Sequence, residues 1–148
     1  MEDYEIRVRT SFARQAYMKM IGAELTEVRP GSTEIRFPYA SPLTQQDGFL
    51  HAAVTTAALD SACGYAALSV GPQGREVLSI EFKVNMLSPG VGESFVARAQ
   101  VKRAGKKTAV CTADAFALRD GREKLIATML ATMMFVPGPK GESKPGAS

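Results

Sequence analysis

Two hydrophobic periods alternate along the chain. Near the N-terminus, SFARQAYMKMI sets Phe12, Ala16 and Met20 four residues apart, with Thr10 or Ser11 as a cap and Gly22 as a stop. That pattern predicts a short helix over residues 10–21. The next segment, AELTEVRPGSTEIRFPYA, alternates apolar and polar positions on both sides of Arg29-Pro30-Gly31-Ser32, which predicts a β-hairpin. Over residues 49–69 nearly every position is apolar or small, which predicts one long, Ala-rich helix. Beyond Gly71-Pro72-Gln73-Gly74 the period returns to two. EVLSIEFKVNML places Leu78, Ile80, Phe82, Val84 and Met86 on one face, and ESFVARAQVKRA does the same with Phe95, Ala97, Ala99 and Val101. TAVCTADAFALRDG and EKLIATMLATMMFVP follow, after turns at Ala104-Gly105-Lys106 and Asp120-Gly121-Arg122. Four strands with short turns predict an antiparallel meander.

A helix that is apolar nearly all round must be covered over most of its surface, and a curved sheet wrapped around it does this. The expected class is therefore α+β: a five- or six-stranded antiparallel sheet around one central helix, the hotdog fold. No repeat or linker divides the chain, so a single domain is expected over residues 1–137. The tail 138–148, GPKGESKPGAS, is rich in Gly, Pro, Ser and Lys and is expected to be disordered. The last strand is apolar on both faces, which points to burial by its own helix and by another subunit.

Composition narrows the chemistry. With 148 residues, 45% hydrophobic and 22% charged, the chain fits one globular domain. A net charge of +3 carries no basic stripe with interleaved aromatics, so nucleic acid is not an expected partner. Cys63, Cys111 and the single His51 are too few and too scattered for a zinc site. The charged start MEDYEIRVRT has no apolar signal region, so a reducing cytoplasm is the expected location. Residues 48–71 are long enough to span a bilayer, but the mid-segment Asp60 disfavours insertion, and a buried helix is the better reading.

Asp60 is also the only formally charged residue in that segment. Its neighbours one turn away, Thr56, Ala57, Cys63 and Gly64, are small and leave a hollow beside the carboxylate. His51 and Ala52 open the helix, where free N–H groups converge on negative charge and can hold an oxyanion. Nine residues separate His51 from Asp60, which is two and a half turns and roughly 13 Å along the axis. The two side chains point to opposite sides and cannot form one dyad. If the helix start and Asp60 act on the same substrate, they come from two subunits related by a two-fold axis.

The run Gln45-Gln46-Asp47-Gly48-Phe49-Leu50-His51-Ala52-Ala53, followed by Asp60, resembles the signature of the PaaI-like hotdog thioesterases, as does Ser79 ten residues before Pro89. The likeness extends over roughly residues 41–136. It implies hydrolysis of an acyl-CoA thioester with no cofactor beyond the CoA of the substrate. The two-subunit geometry calls for a homo-oligomer, at least a dimer, and the apolar last strand points to a tetramer built of dimers. Carried over by position, Asp60 is nucleophile or general base, Gln45 orients the thioester carbonyl or the water, the Ala52 amide polarises the carbonyl, and Ser79 holds the water. Strict alternation puts Ser79 on the face away from Leu78 and Ile80, so it reaches a site only at a subunit boundary or through a bulge. His51 is expected to shape the helix start, and Gly48 and Gly64 to line the substrate. Ala52-Ala53 replaces the usual Gly-Gly, which tightens the approach of the pantetheine arm, and Gly64 stands where some members carry a hydroxyl. Lys83, Arg103, Lys106 and Lys107 are the candidate cations for the CoA phosphates. The rival readings are a non-catalytic acyl-CoA-binding hotdog protein and a hotdog acyl-thioester dehydratase working through His51.

Overall fold

The computed structural model describes residues 1–139. Its elements run α1 (Asp3–Ala13), α2 (Ala16–Met20), β1 (Glu24–Arg29), β2 (Ser32–Pro38), a 3₁₀ turn (Ser41–Leu43), α3 (Ala52–Val70), β3 (Arg75–Met86), β4 (Ser94–Ala104), β5 (Thr108–Arg119) and β6 (Arg122–Pro137). The strands form one antiparallel sheet in the order β1-β2-β4-β5-β6-β3, and α3 packs against all six of them. This is the α+β hotdog architecture.

The helix–sheet interface is built from small side chains. Ala58, Ala62, Ala66 and Ala67 of α3 are fully buried and meet a floor of Ala97, Ala99, Ala113, Ala115, Ala127 and Ala131. Without long side chains between them, helix and sheet approach closely and the interior stays dense. Larger residues close the ends of the core, among them Phe95 stacked on Phe37 with ring centroids 5.3 Å apart.

Four sequence expectations need correction. The N-terminal helix does not span residues 10–21. It starts at Asp3, ends at Ala13, and after a break at Arg14-Gln15 a separate turn of helix runs from Ala16 to Met20. Tyr4, Val8 and Phe12 form the inward stripe of α1, and the charges between them masked that period. The central helix begins at Ala52 rather than at residue 49, because His51 is its N-cap in extended backbone. The meander holds for β4, β5 and β6 only. β3 leaves its sequence neighbour and joins the far edge beside β6, pairing from Arg75↔Pro137 to Met86↔Ala127. Finally, Leu78, Ile80, Phe82, Val84 and Met86 do not share a face. The β3 register shifts between Ser79 and Glu81, a bulge that exchanges inward and outward positions. Val77 and Ser79 lie opposite the buried Phe135 and Met133 before it, and Phe82 and Val84 lie opposite the buried Ala131 and Met129 after it. Leu78 and Ile80 therefore face outward and are more than half exposed, at 59% and 56%.

The hairpin turn at Pro30-Gly31 is where the sequence places it, with Gly31 at φ 75°. Of the tail 138–148, residues 140–148 lie outside the described residues, while Gly138 N–H donates to Gly74 O at 3.1 Å. No helix of the described residues is long and apolar enough to cross a membrane.

Candidate active site

The open stripe of α3 carries Ala52, Ala53, Thr56, Ala57, Asp60, Ser61 and Gly64, while the rest of the helix up to Ser69 is buried. Asp60 is half-buried on this stripe. Ser79 of β3 donates its hydroxyl to Asp60 Oδ1 at 2.5 Å. The bulge explains how: Ser79 is the last residue of β3 before the register shift and keeps the helix-facing direction of Val77. A carboxylate that accepts a short O–H bond on one oxygen keeps the other free. The two residues line a cleft of about 200 Å³ with Ser11, Gln15, Tyr65 and Glu76. A Cβ placed on Gly64, at the edge of that cleft, would meet nothing within 4 Å, so the hollow next to the acid is real space.

The start of α3 forms a second, separate site. His51 Nδ1 accepts the Ala53 N–H at 2.9 Å, and the N–H groups of Val54 and Thr55 return to His51 O. The Ala52 N–H has no acceptor among the described residues, which leaves one unpaired donor at the positive end of a 19-residue helix. Gln45 sits in front of it in a loop that it stabilises itself: its Oε1 accepts from Asp47 N at 2.6 Å and Phe49 N at 3.2 Å. With the carbonyl oxygen so used, the amide NH₂ is the donor end of Gln45: one N–H reaches Asp47 Oδ2 at 3.4 Å, which leaves the other for an acceptor. Gln45 and Ala52 line a cleft of about 420 Å³ whose other walls include Leu50, Met86, Pro89 and Ile126. Gly90 presses so close to this loop that a Cβ on it would lie 2.7 Å from Leu50 Cβ.

Asp60 with Ser79 and Ala52 with Gln45 thus occupy two clefts of one protomer. The eight residues from Ala52 to Asp60 set them about 12 Å apart along the helix axis. Gly48 lies between Gln45 and the helix at φ 83°, a left-handed turn position that suits glycine. Lys83 is placed opposite Leu130 on the outer face of the sheet. Arg103 is the penultimate residue of β4, opposite Val110, and Lys106 and Lys107 follow in the β4–β5 turn, at the end of the sheet where α3 finishes: Phe135 N–H donates to Lys107 O, and Phe135 closes on Gly71. None of these four cations lines either cleft. Cys63 is fully buried, and its thiol is pushed well up by its hydrogen bond with the Cys111 thiol and by burial, the opposite of an activated nucleophile.

Sequence reasoning missed Ser11, Gln15, Tyr65 and Glu76. Ser61 Oγ donates to Gln15 Oε1 at 3.0 Å, and Gln15 Nε2 donates to Tyr65 Oη at 3.1 Å, so the α1–α2 break roofs the Asp60 cleft. No local motif announces such a contact.

A family model described as the thioesterase superfamily matches residues 47–124, and the chain belongs to that family. A thioesterase family protein from Silicibacter pomeroyi shares 50% identity and superposes with a TM-score of 0.89, covering 91% of this chain and 99% of its own. The PaaI protein of the Escherichia coli phenylacetic acid degradation operon has the same fold, with a TM-score of 0.81 at 18% identity over 91% of this chain and 94% of its own. A relative from Saccharolobus solfataricus, named as a candidate esterase, is 28% identical over 119 residues, 80% of this chain and 77% of its own. The chain is thus a hotdog protein of the thioesterase superfamily that shares its fold with PaaI, and thioester hydrolysis is the activity of that superfamily.

Proposed function

We propose that the protein hydrolyses acyl-CoA thioesters at a site completed by two subunits. The observation that carries this reading is the split of the reactive groups: a hydroxyl-bound carboxylate in mid-helix and an unpaired N–H at the helix start, in separate clefts. Two antiparallel copies of α3 related by a two-fold axis bring each helix start to the other's middle. The thioester carbonyl then accepts from the Ala52 N–H and the Gln45 NH₂ of one subunit, where charge develops as the tetrahedral carbon forms. Asp60 of the other subunit takes a proton from water while the water oxygen bonds to that carbon. Collapse breaks the C–S bond, and the proton passes to the CoA thiolate. The alternative, attack by Asp60 itself through an anhydride, uses the same groups. In either route Ser79 holds Oδ1 and orients the free oxygen, and His51 fixes the helix start from which Ala52 donates.

The dimer leaves an outer face on which Leu78, Ile80, Leu130 and Met134 remain exposed. Packing of two dimers through it gives the tetramer that belongs to this reading. Lys83, Arg103, Lys106 and Lys107 serve the CoA phosphates only where the oligomer carries them past a neighbouring helix start. A cytoplasmic location, where acyl-CoA is made and used, completes the proposal. The test is thiol release from a panel of acyl-CoAs, with the molar mass read by light scattering. Asp60→Asn should keep the parent's mass and lose most turnover, about 10²-fold or more. Turnover equal to the parent's would remove Asp60 from the mechanism.

A further inference from the structure

Resting on that reading, we infer that Gln15 and Tyr65 select the acyl group, and that the protein takes a short, uncharged acyl chain carrying a hydroxyl or keto oxygen near its far end. The two clefts differ in shape and lining. The helix-start cleft is the larger, about 420 Å³, and is walled by Leu50, Met86, Pro89 and Ile126. It suits the long pantetheine arm, which must lead out to the nucleotide. The Asp60 cleft is about 200 Å³ and is roofed by Ser11 and Gln15, so it receives what lies on the other side of the carbonyl. That volume holds about seven water-sized groups.

The walls of this smaller cleft are polar. Gln15 is the N-cap of α2 with extended backbone, φ −79° and ψ 103°, and this break turns its side chain toward α3. The amide is locked at both ends, Oε1 by Ser61 and one Nε2–H by Tyr65. Its second N–H has no acceptor among the described residues, and the Tyr65 hydroxyl, with Ser11 as a further hydrogen-bond neighbour, faces the same cleft. Burial pushes the Tyr65 phenol up, which keeps it a neutral donor. A wholly hydrocarbon acyl chain would strip water from these donors without replacing it, whereas an oxygen at the right depth accepts from them. Sites built to hydrogen-bond a substrate group reject the analogue that lacks it. A terminal carboxylate meets the opposite fate, because Asp60 and Glu76 already share the cleft.

The experiment compares hexanoyl-CoA, 6-hydroxyhexanoyl-CoA and adipoyl-CoA with the parent, Asp60→Asn, Gln15→Leu and Tyr65→Phe proteins. For the parent, kcat/KM with the hydroxyacyl substrate should exceed that with hexanoyl-CoA by about tenfold or more, and adipoyl-CoA should be the poorest. Gln15→Leu should bring the hydroxyl preference to within about threefold of unity. A residue that only props the fold would lower both rates together and leave their ratio alone. Should Gln15→Leu fail to fold, Tyr65→Phe keeps the ring and its edge contact with Phe12 and should also reduce the ratio. A parent ratio near one, or a ratio unchanged in the folded variants, overturns the inference. If hydrolysis still depends on Asp60 in that case, the thioesterase reading stands and only the acyl selection falls. If Asp60→Asn turns over both substrates like the parent, the thioesterase site itself is misassigned.

Discussion

Ser79 Oγ lies 2.5 Å from Asp60 Oδ1, and a one-residue bulge immediately after Ser79 is what lets both belong to one cleft. Without that shift either Ser79 or Phe82 would have to turn away from the helix. Met133 Sδ, 3.3 Å away, is a weak acceptor for the same single proton, and the charged carboxylate is the stronger of the two. Hydrogen bonds to charged groups contribute about 1.5–3 kcal/mol, which corresponds to about 10- to 100-fold in rate if the bond orients the reacting oxygen. Ser79→Ala should therefore lower kcat by that factor with KM little changed. Parent-like kcat in Ser79→Ala would reduce the hydroxyl to a packing contact.

Acid stability offers a second expectation, away from the site. Glu34 of β2 is pushed up by burial but brought down further by Arg36 and Arg98, both bonded at 2.7 Å, to about 2. Its folded value is depressed, so the stabilisation is fully present above the ordinary carboxyl range near 4.5 and is lost as pH falls from there through about 2. Glu123, lowered by its paired bonds to Arg98, acts in the same sense. Denaturant midpoints measured from pH 6 downward should drop through that window. Glu34→Gln should flatten the drop, and an equally steep limb in that variant would place the acid sensitivity elsewhere.

Much of this molecule is legible in its sequence, for identifiable reasons. The order of helix, hairpin, long helix and strands follows from periods that each element satisfies on its own. Asp60 stands out because a charge in an apolar helix has few explanations. Pairing β3 with β6 rather than with β4 is different, since it depends on which edges meet in space. The bulge after Ser79 leaves no glycine or proline mark, yet it inverts every face beyond it. Gln15 reaches Ser61 and Tyr65 across 46 and 50 residues of chain, and only the folded break between α1 and α2 creates that contact.

Arg7 ties the N-terminal helix to the end of α3. Its guanidinium donates to Gly71 O and Pro72 O at 3.0 Å each and also to Leu68 O, placing a cation at the negative end of α3. Arg7→Ala should cost about 2–3 kcal/mol, seen as a fall in Tm of about 4–10 °C. Arg7→Lys should recover only part, because an ammonium is a point charge and cannot span three carbonyls as a planar fork does. An unchanged Tm in Arg7→Ala would mean that α1 is held by Tyr4, Val8 and Phe12 alone.

The two-subunit site can be tested by complementation, because each half can be removed without touching the other. Asp60→Asn removes the carboxylate. The Ala52 N–H can be deleted by Ala52→Pro, since Ala52 is the first residue of α3, a position that tolerates proline, and the preceding His51 already has extended backbone, with φ −64° and ψ 134°. Each variant alone assembles only sites lacking one component. When the two chains are co-expressed in equal amounts and purified through different tags, the mixed dimer contains one site with Ala52 from one chain and Asp60 from the other, and one site lacking both. Selection through both tags keeps only mixed dimers, each with one working site of two, so about half of the parent activity per dimer should return. No recovery in a verified mixed dimer would place both groups in the service of one protomer, a distance that the helix between them does not allow.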